Sequence, residues 1–148
     1  MITKRICSFS IISKVIFFLL LISFHFGIYC QIPVALGQNK GIIFNQDLQM
    51  YFYTKYKNRF ELELQDVIEI EKILNKEFPL INKAKYRRQY VGFLNTKSQK
   101  VVFVNLIDFK KKNKLLKDWK CKLIIGTGDF YDRKTMNMYV NLETGTVE

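Results

Sequence analysis

The sequence predicts an α+β fold: one amphipathic helix packed on a four-stranded antiparallel sheet, placed after an N-terminal signal peptide. Three observations carry this. Apolar residues recur near a 3.6-residue period over 60–78, two runs rich in aromatic and β-branched residues follow at 86–95 and 100–109, and a clean two-residue alternation returns at 135–143. The chain divides accordingly into a leader (1–30), a poorly defined lead-in (31–58) and a single α+β domain (59–148).

The leader comes first. MITKRICSFSIISK carries Lys4, Arg5 and Lys14 and no acid, and VIFFLLLISF (15–24) is uncharged before His25 and Gly27 interrupt it. A basic end followed by an apolar stretch shorter than the roughly 18 residues of a membrane span is the layout of a signal peptide. The expected destination is the periplasm or the exterior, with a mature chain starting near Gln31. Two alternatives keep the protein at the membrane: an uncleaved leader, since Phe26, Ile28 and Tyr29 lengthen the apolar run, or lipidation at Cys30, against which the large Tyr29 argues.

Removing the leader changes the chemistry. The 24 basic residues less the three in the leader leave 21 against 13 acids, a net charge of +8 on 118 residues. His25, Cys7 and Cys30 go with it, so residues 31–148 hold no histidine and one cysteine, Cys121. Serine and cysteine nucleophiles usually need an imidazole as base, and zinc sites draw on His and Cys. The composition therefore points to no catalytic residue, no metal and no cofactor, and to a protein that is not an enzyme. Arginine supplies only Arg5, Arg59, Arg87, Arg88 and Arg133 of the basic residues, and the excess of Lys, Ile, Asn, Phe and Tyr matches the codon bias of an AT-rich genome.

Within the lead-in, GIIF (41–44) and QMYFYTKY (49–56) each read as a short strand or an ordered approach. In FELELQDVIEIEKILNKEF, Phe60, Leu64, Val67, Leu74 and Phe78 form the helical stripe, widened by Ile70 and Ile73. Asn58 with Glu61 suggests a capping box and Pro79 a stop, while the alternation of Phe60, Leu62 and Leu64 allows a start nearer Leu64. YRRQYVGFLN and KVVFVNLIDF, joined by TKSQ, predict a hairpin. The second run is apolar on both faces, as a central strand requires.

In WKCKLIIG (119–126), Trp119, Cys121, Leu123 and Ile125 alternate with Lys120 and Lys122, which predicts a third strand with Cys121 facing the core. GDFYDRK turns the chain, and it lacks the oxygen density of a calcium loop. In the last strand Met136, Met138, Val140 and Leu142 face inward, Asn137, Tyr139 and Asn141 outward, and Thr144 and Gly145 close a turn beyond which a final strand is left open.

YRRQYVGFLNTKSQKVVFVNLID (86–108) together with WKCKLIIGTGDFYDRKTMNMYVNLETG (119–145) resembles a group of small exported bacterial proteins to which no activity is attached. Its shared features are an Arg-Gln-Tyr-x-Gly strand, a second strand ending at Asn, a Trp, a Gly-rich turn and a closing strand. The order of helix and meander is also similar in architecture to cystatin-like and PepSY-like domains. The chain departs from the group at Thr127, Gly128 and Asp129, where Asp-Gly-Gly is usual, and at Ser98, where a turn glycine is usual. The resemblance implies a fold and no catalytic residue.

Two basic surfaces remain. In MYFYTKYKNRF (50–60), Lys55, Lys57 and Arg59 interleave with Tyr51, Phe52, Tyr53, Tyr56 and Phe60. Lys110, Lys111, Lys112, Lys114 and Lys117 form a run that the predicted hairpin brings toward Lys83, Lys85, Arg87 and Arg88. Cations with aromatic rings suit a polyanion or a membrane surface, although core rings and solvated lysines give the same pattern. The function expected is an exported, non-enzymatic binding or inhibitor-like module. Its partner is an acidic protein, an envelope polyanion such as lipopolysaccharide, or a membrane surface, and export argues against intracellular nucleic acid. The competing readings are a small envelope hydrolase using Asp108, Asp129 and Asp132, and a structural component of the envelope.

Overall fold

The computed structural model describes residues 31–36, 39–44, 58–80, 86–109, 116–126 and 128–148. The leader and the stretch 45–57 lie outside the described residues. Eight elements follow in chain order: β1 (Gln31–Leu36), β2 (Asn39–Phe44), β3 (Asn58–Arg59), α1 (Leu64–Glu77), β4 (Tyr86–Leu94), β5 (Lys100–Asp108), α2 (Asp129–Lys134) and β6 (Thr135–Asn141). The α+β class is as expected, with one main helix, but the sheet has six strands rather than four and is mixed rather than antiparallel.

Its order is β1-β2-β4-β5-β6. The extra strands come from the lead-in: β1 and β2 pair antiparallel, and β2 runs parallel to β4 from Lys40↔Arg87 to Phe44↔Val91. The two-residue β3 continues the same edge of β4, pairing Asn58↔Leu94 and Arg59↔Phe93. GIIF is thus the apolar end of β2, and Ile42, Ile43 and Phe44 are buried. A parallel pair needs a long crossover, and α1 lies within it.

The hairpin β4–β5 pairs from Tyr86↔Asp108 to Leu94↔Lys100, close to the predicted limits. β5 is central, between β4 and β6, and Val101 to Ile107 are buried throughout. In the connecting turn the Asn95 Oδ1 accepts from the backbone N–H groups of Lys97 and Gln99, both at 2.9 Å, and Ser98 adopts φ 60°. That is the left-handed conformation for which glycine is the usual residue.

α1 starts at Leu64, and its capping box is Glu63 with Asp66 rather than Asn58 with Glu61. Asn58 is unsuited to that role because it is already paired in β3. The helix ends at Glu77, where the Phe78 N–H still reaches the Leu74 carbonyl, ahead of Pro79. Val67, Ile70 and Leu74 are buried against Ile43, Tyr90, Val102, Val104, Leu106, Met138 and Val140. Each such aliphatic side chain contributes roughly 1.5–3 kcal/mol by leaving water.

The sheet's second face is equally apolar, and among the described residues no second long helix covers it. Ile42, Phe44, Val91, Phe93, Phe103 and Ile107 are covered instead by Leu116, Trp119 and Ile124, flanked by half-buried Phe130 and Tyr131 of α2. Residues 116–126 are therefore a strap of turns and extended chain, not the predicted strand. The N–H groups of Cys121 and Lys122 both bond the Asp118 carbonyl at 2.8 Å, a turn that points Cys121 to solvent rather than into the core. The physical reason is one of place: both edges of β5 are occupied, whereas the second face needed a lid.

In β6, Met138 and Val140 are buried as the alternation predicted, but Met136 is 44 % exposed near the strand's start. After the turn at Gly145 (φ 67°) the chain folds back, and Val147 bridges Val140 in place of a full final strand.

Candidate functional site

Alternation along β4 sorts its polar residues onto opposite faces. Arg88 and Tyr90 point toward α1. The Arg88 Nε and the Tyr90 hydroxyl both donate to Glu71 Oε1 at 2.9 Å, and Arg88 also donates to the Tyr86 carbonyl at 3.2 Å. Arg88 is 1 % exposed, so it is sealed between helix and sheet and forms no part of a basic surface, contrary to the expectation that it would line one. Burial first, and the neighbouring Glu71 carboxylate second, push the Tyr90 phenol well above its ordinary value, with Arg88 opposing.

On the other face lie Arg87 and Gln89. The Gln89 Nε2 donates to the carbonyls of Trp119 and Lys122, and its Oε1 accepts from Ile124 N–H at 2.8 Å and from Asn105 Nδ2 at 2.9 Å. Asn105 Nδ2 also donates to the Ile124 carbonyl at 2.6 Å. Two carboxamides paired in register across β4 and β5 thus hold the strap through its main chain. Gln31 Nε2 adds a bond to the Cys121 carbonyl at 3.3 Å.

Fixing the strap fixes Trp119. Its ring meets Phe109 edge-on at 5.7 Å between centroids, and the Arg87 guanidinium lies over both rings, 5.7 Å from Phe109 and 6.0 Å from Trp119. Phe109 and Trp119 are ten positions apart, and their contact ties the end of β5 to the strap. KKKNKLLKDWKCK (110–122) carries seven lysines against one acid, Asp118. Lys117, Lys120 and Lys122 are exposed on the strap, and Lys40, the register partner of Arg87 on β2, is exposed beside it. Lys122 approaches Asp118 at 3.7 Å, a solvated pair of little consequence.

The remaining predicted site residues fall elsewhere. Lys55, Lys57, Lys110, Lys111, Lys112 and Lys114 lie outside the described residues, as do Lys83, Lys85, Tyr51, Phe52, Tyr53 and Tyr56. Arg59 is half-buried: its Nη2 donates to the Phe44 carbonyl at 2.9 Å and its guanidinium lies 5.8 Å from the Phe93 ring. It joins β3 to the end of β2. Phe60 packs over Gly92, where a methyl group would come within 2.8 Å of the Phe60 carbonyl.

The carboxylates considered for hydrolysis are spread over two elements. Asp129 is exposed and bonded to Arg133 at 3.0 Å, Asp132 is exposed, and Asp108 sits 4.0 Å from Lys134. Among the described residues no group of three or more His, Cys, Asp or Glu is placed to hold a metal, and no helix is long and apolar enough to cross a membrane.

Sequence reasoning picked out Arg87 but missed its register partner Lys40 and the place of Lys120 and Lys122 on the strap. The signal was present in WKCK, where lysines flank the single tryptophan, but was assigned to a strand's wet face. Comparison of the chain with protein-family models, with curated proteins and with solved structures finds no match to any of them.

Proposed function

We propose that this chain is an exported, non-enzymatic binding module that takes an anionic partner at the lysine-rich end of its sheet. The observation that carries the reading is the Arg87 guanidinium set over the paired rings of Phe109 and Trp119, at the edge of a strap whose exposed side chains include three lysines. Lys117, Lys120 and Lys122 are exposed on the strap, Lys40 is exposed on β2, and the sequence adds a basic run at 110–114; an excess of one sign of charge attracts an anionic partner at long range. Export rests on the leader's basic end and short apolar run.

The test has two arms. Titration with a panel of anionic probes (inorganic polyphosphate, polyglutamate and vesicles containing an anionic lipid) should give salt-dependent binding to at least one. That binding should be lost when Lys110, Lys111, Lys112 and Lys114 are changed together to Glu. Fractionation of the native host with intact-mass measurement should find a chain beginning near Gln31 outside the cytoplasm. Absence of binding to every probe at low salt, or an intact cytoplasmic chain, overturns the reading.

A further inference from the structure

We infer that the strap over 116–126 is a lid, which leaves the sheet as one unit while the helix-backed half of the molecule stays folded. The apolar interior lies in two parts, one on each side of the sheet. On one side Val67, Ile70 and Leu74 of α1 pack down, and on the other Leu116, Trp119 and Ile124 of the strap; no residue belongs to both clusters. The buried bonds of Arg88 and Tyr90 to Glu71 are on the α1 side. Lifting the strap therefore removes nothing from the packing that joins α1 to the sheet.

The polar attachment is separable in the same way. Gln89 and Asn105 hold Trp119, Lys122 and Ile124 through side chain to main chain bonds, so breaking them leaves the β4–β5 ladder whole from Tyr86↔Asp108 to Leu94↔Lys100. On opening, both carboxamides and the main-chain groups they release meet water, and such an exchange of hydrogen bonds has a small net cost. Asn105 Oδ1, which the closed strap leaves buried without a hydrogen-bond partner, returns to solvent and is relieved of that burial. Ring contacts hold the strap toward its two ends. Trp119 meets Phe109 and Arg87, and the Tyr131 ring of α2 presses on Gly126 so closely that a Cβ there would lie 2.6 Å from the ring's Cζ. Three apolar anchors and two ring contacts close the lid against the return of buried amides to water, a balance that belongs to local opening rather than to global unfolding.

The experiment is native-state hydrogen exchange on the unaltered protein over a range of low urea concentrations, read at single amides. The reporters are the N–H groups of Trp119, bonded to the Leu116 carbonyl, and of Ile124, bonded to Gln89 Oε1. Both should be protected at least about a hundredfold less than the amides of Val102 to Leu106 in β5. Their protection should fall with urea in parallel with one another and less steeply than that of β5, because opening the lid exposes less surface than unfolding the protein. Protection and urea dependence equal to those of β5 would show that the strap leaves only when the whole fold does, and would overturn the inference. So would different urea dependences for Trp119 and Ile124, which would mean piecemeal fraying in place of a unit. Gly126→Ala drives a methyl group into the Tyr131 ring and should lower protection at Trp119 and Ile124 about tenfold while α1 and β5 keep theirs. An equal loss in the strap, α1 and β5 overturns the inference as well, and the measurement on the unaltered protein decides the matter if the variant does not fold.

Discussion

Gln89 and Asn105 face one another across β4 and β5, and their two carboxamides make a buried bridge from the sheet to the main chain of the strap. Gln89 accounts for bonds to Trp119, Lys122 and Ile124, and Asn105 for a second bond to Ile124. Asn105 Oδ1 is buried without a partner, the kind of acceptor that ordered water commonly satisfies. Changing Gln89 to Leu strands two carbonyls and an N–H in the interior, which should cost about 1–3 kcal/mol per unsatisfied group. Urea denaturation followed by Trp119 fluorescence should show both the lower midpoint and a red-shifted native spectrum. A native spectrum like the wild type's would mean that apolar packing alone holds the strap.

The Arg88–Glu71 pair makes the opposite use of polarity, inside the helix–sheet interface. Glu71→Leu leaves a guanidinium buried without its carboxylate and should destabilise the fold by about 3–5 kcal/mol. The double change Glu71→Leu with Arg88→Met removes both charges and should recover most of that loss. A double-mutant cycle on chemical denaturation checks it; additive losses would show that the pair does not act as a unit.

Tyr90 gives the interface an alkaline limit. Its proton is held more tightly in the native state than in the unfolded chain, where a tyrosine titrates near pH 10. Above about pH 10 the unfolded state therefore binds fewer protons, and stability should fall as pH rises, while below that pH the contribution is fully present. Comparing urea midpoints from about pH 8 to about pH 11, Tyr90→Phe should lose stability less steeply than the wild type. Parallel curves would contradict this.

Ser98, at φ 60°, occupies backbone space that glycine enters without a Cβ clash. Ser98→Gly should raise stability by about 0.5–1 kcal/mol, seen as a higher thermal midpoint. No gain would mean that Asn95, which brackets the turn with its side chain, already offsets the strain.

Cys121 is exposed on the outer side of the strap. Its thiol should react with a colourimetric disulfide reagent in the folded protein at a rate close to that in denaturant. Protection until unfolding would restore the core position that its alternation with Lys120 and Lys122 suggests.

Much of the first layer was legible in the sequence. The period of Val67, Ile70 and Leu74 marks the buried side of α1, and the two-faced apolar character of Val101 to Ile107 places β5 at the centre. The Arg-Gln-Tyr-x-Gly motif was visible as a pattern without its reasons. Arg88 and Tyr90 meet Glu71, Gln89 holds the strap, and Gly92 admits the Phe60 backbone. These are contacts between residues 17 to 35 positions apart, which no local period encodes.

What the sequence determined by itself was the set of elements whose partners are implied by their own repeat: an amphipathic helix, a tight hairpin, a closing strand, and a basic composition poor in the usual catalytic side chains. Tertiary structure decided the rest. WKCKLIIG alternates like a strand, yet the edges of β5 were already filled and the second face of the sheet lay uncovered, so the segment became a strap held by Gln89 and Asn105. Arg87 and Arg88 are adjacent in the chain and identical in chemistry. The two-residue period of β4 sends Arg88 under the helix and Arg87 to the strap's Trp119, because only the packed sheet decides what covers each of its faces.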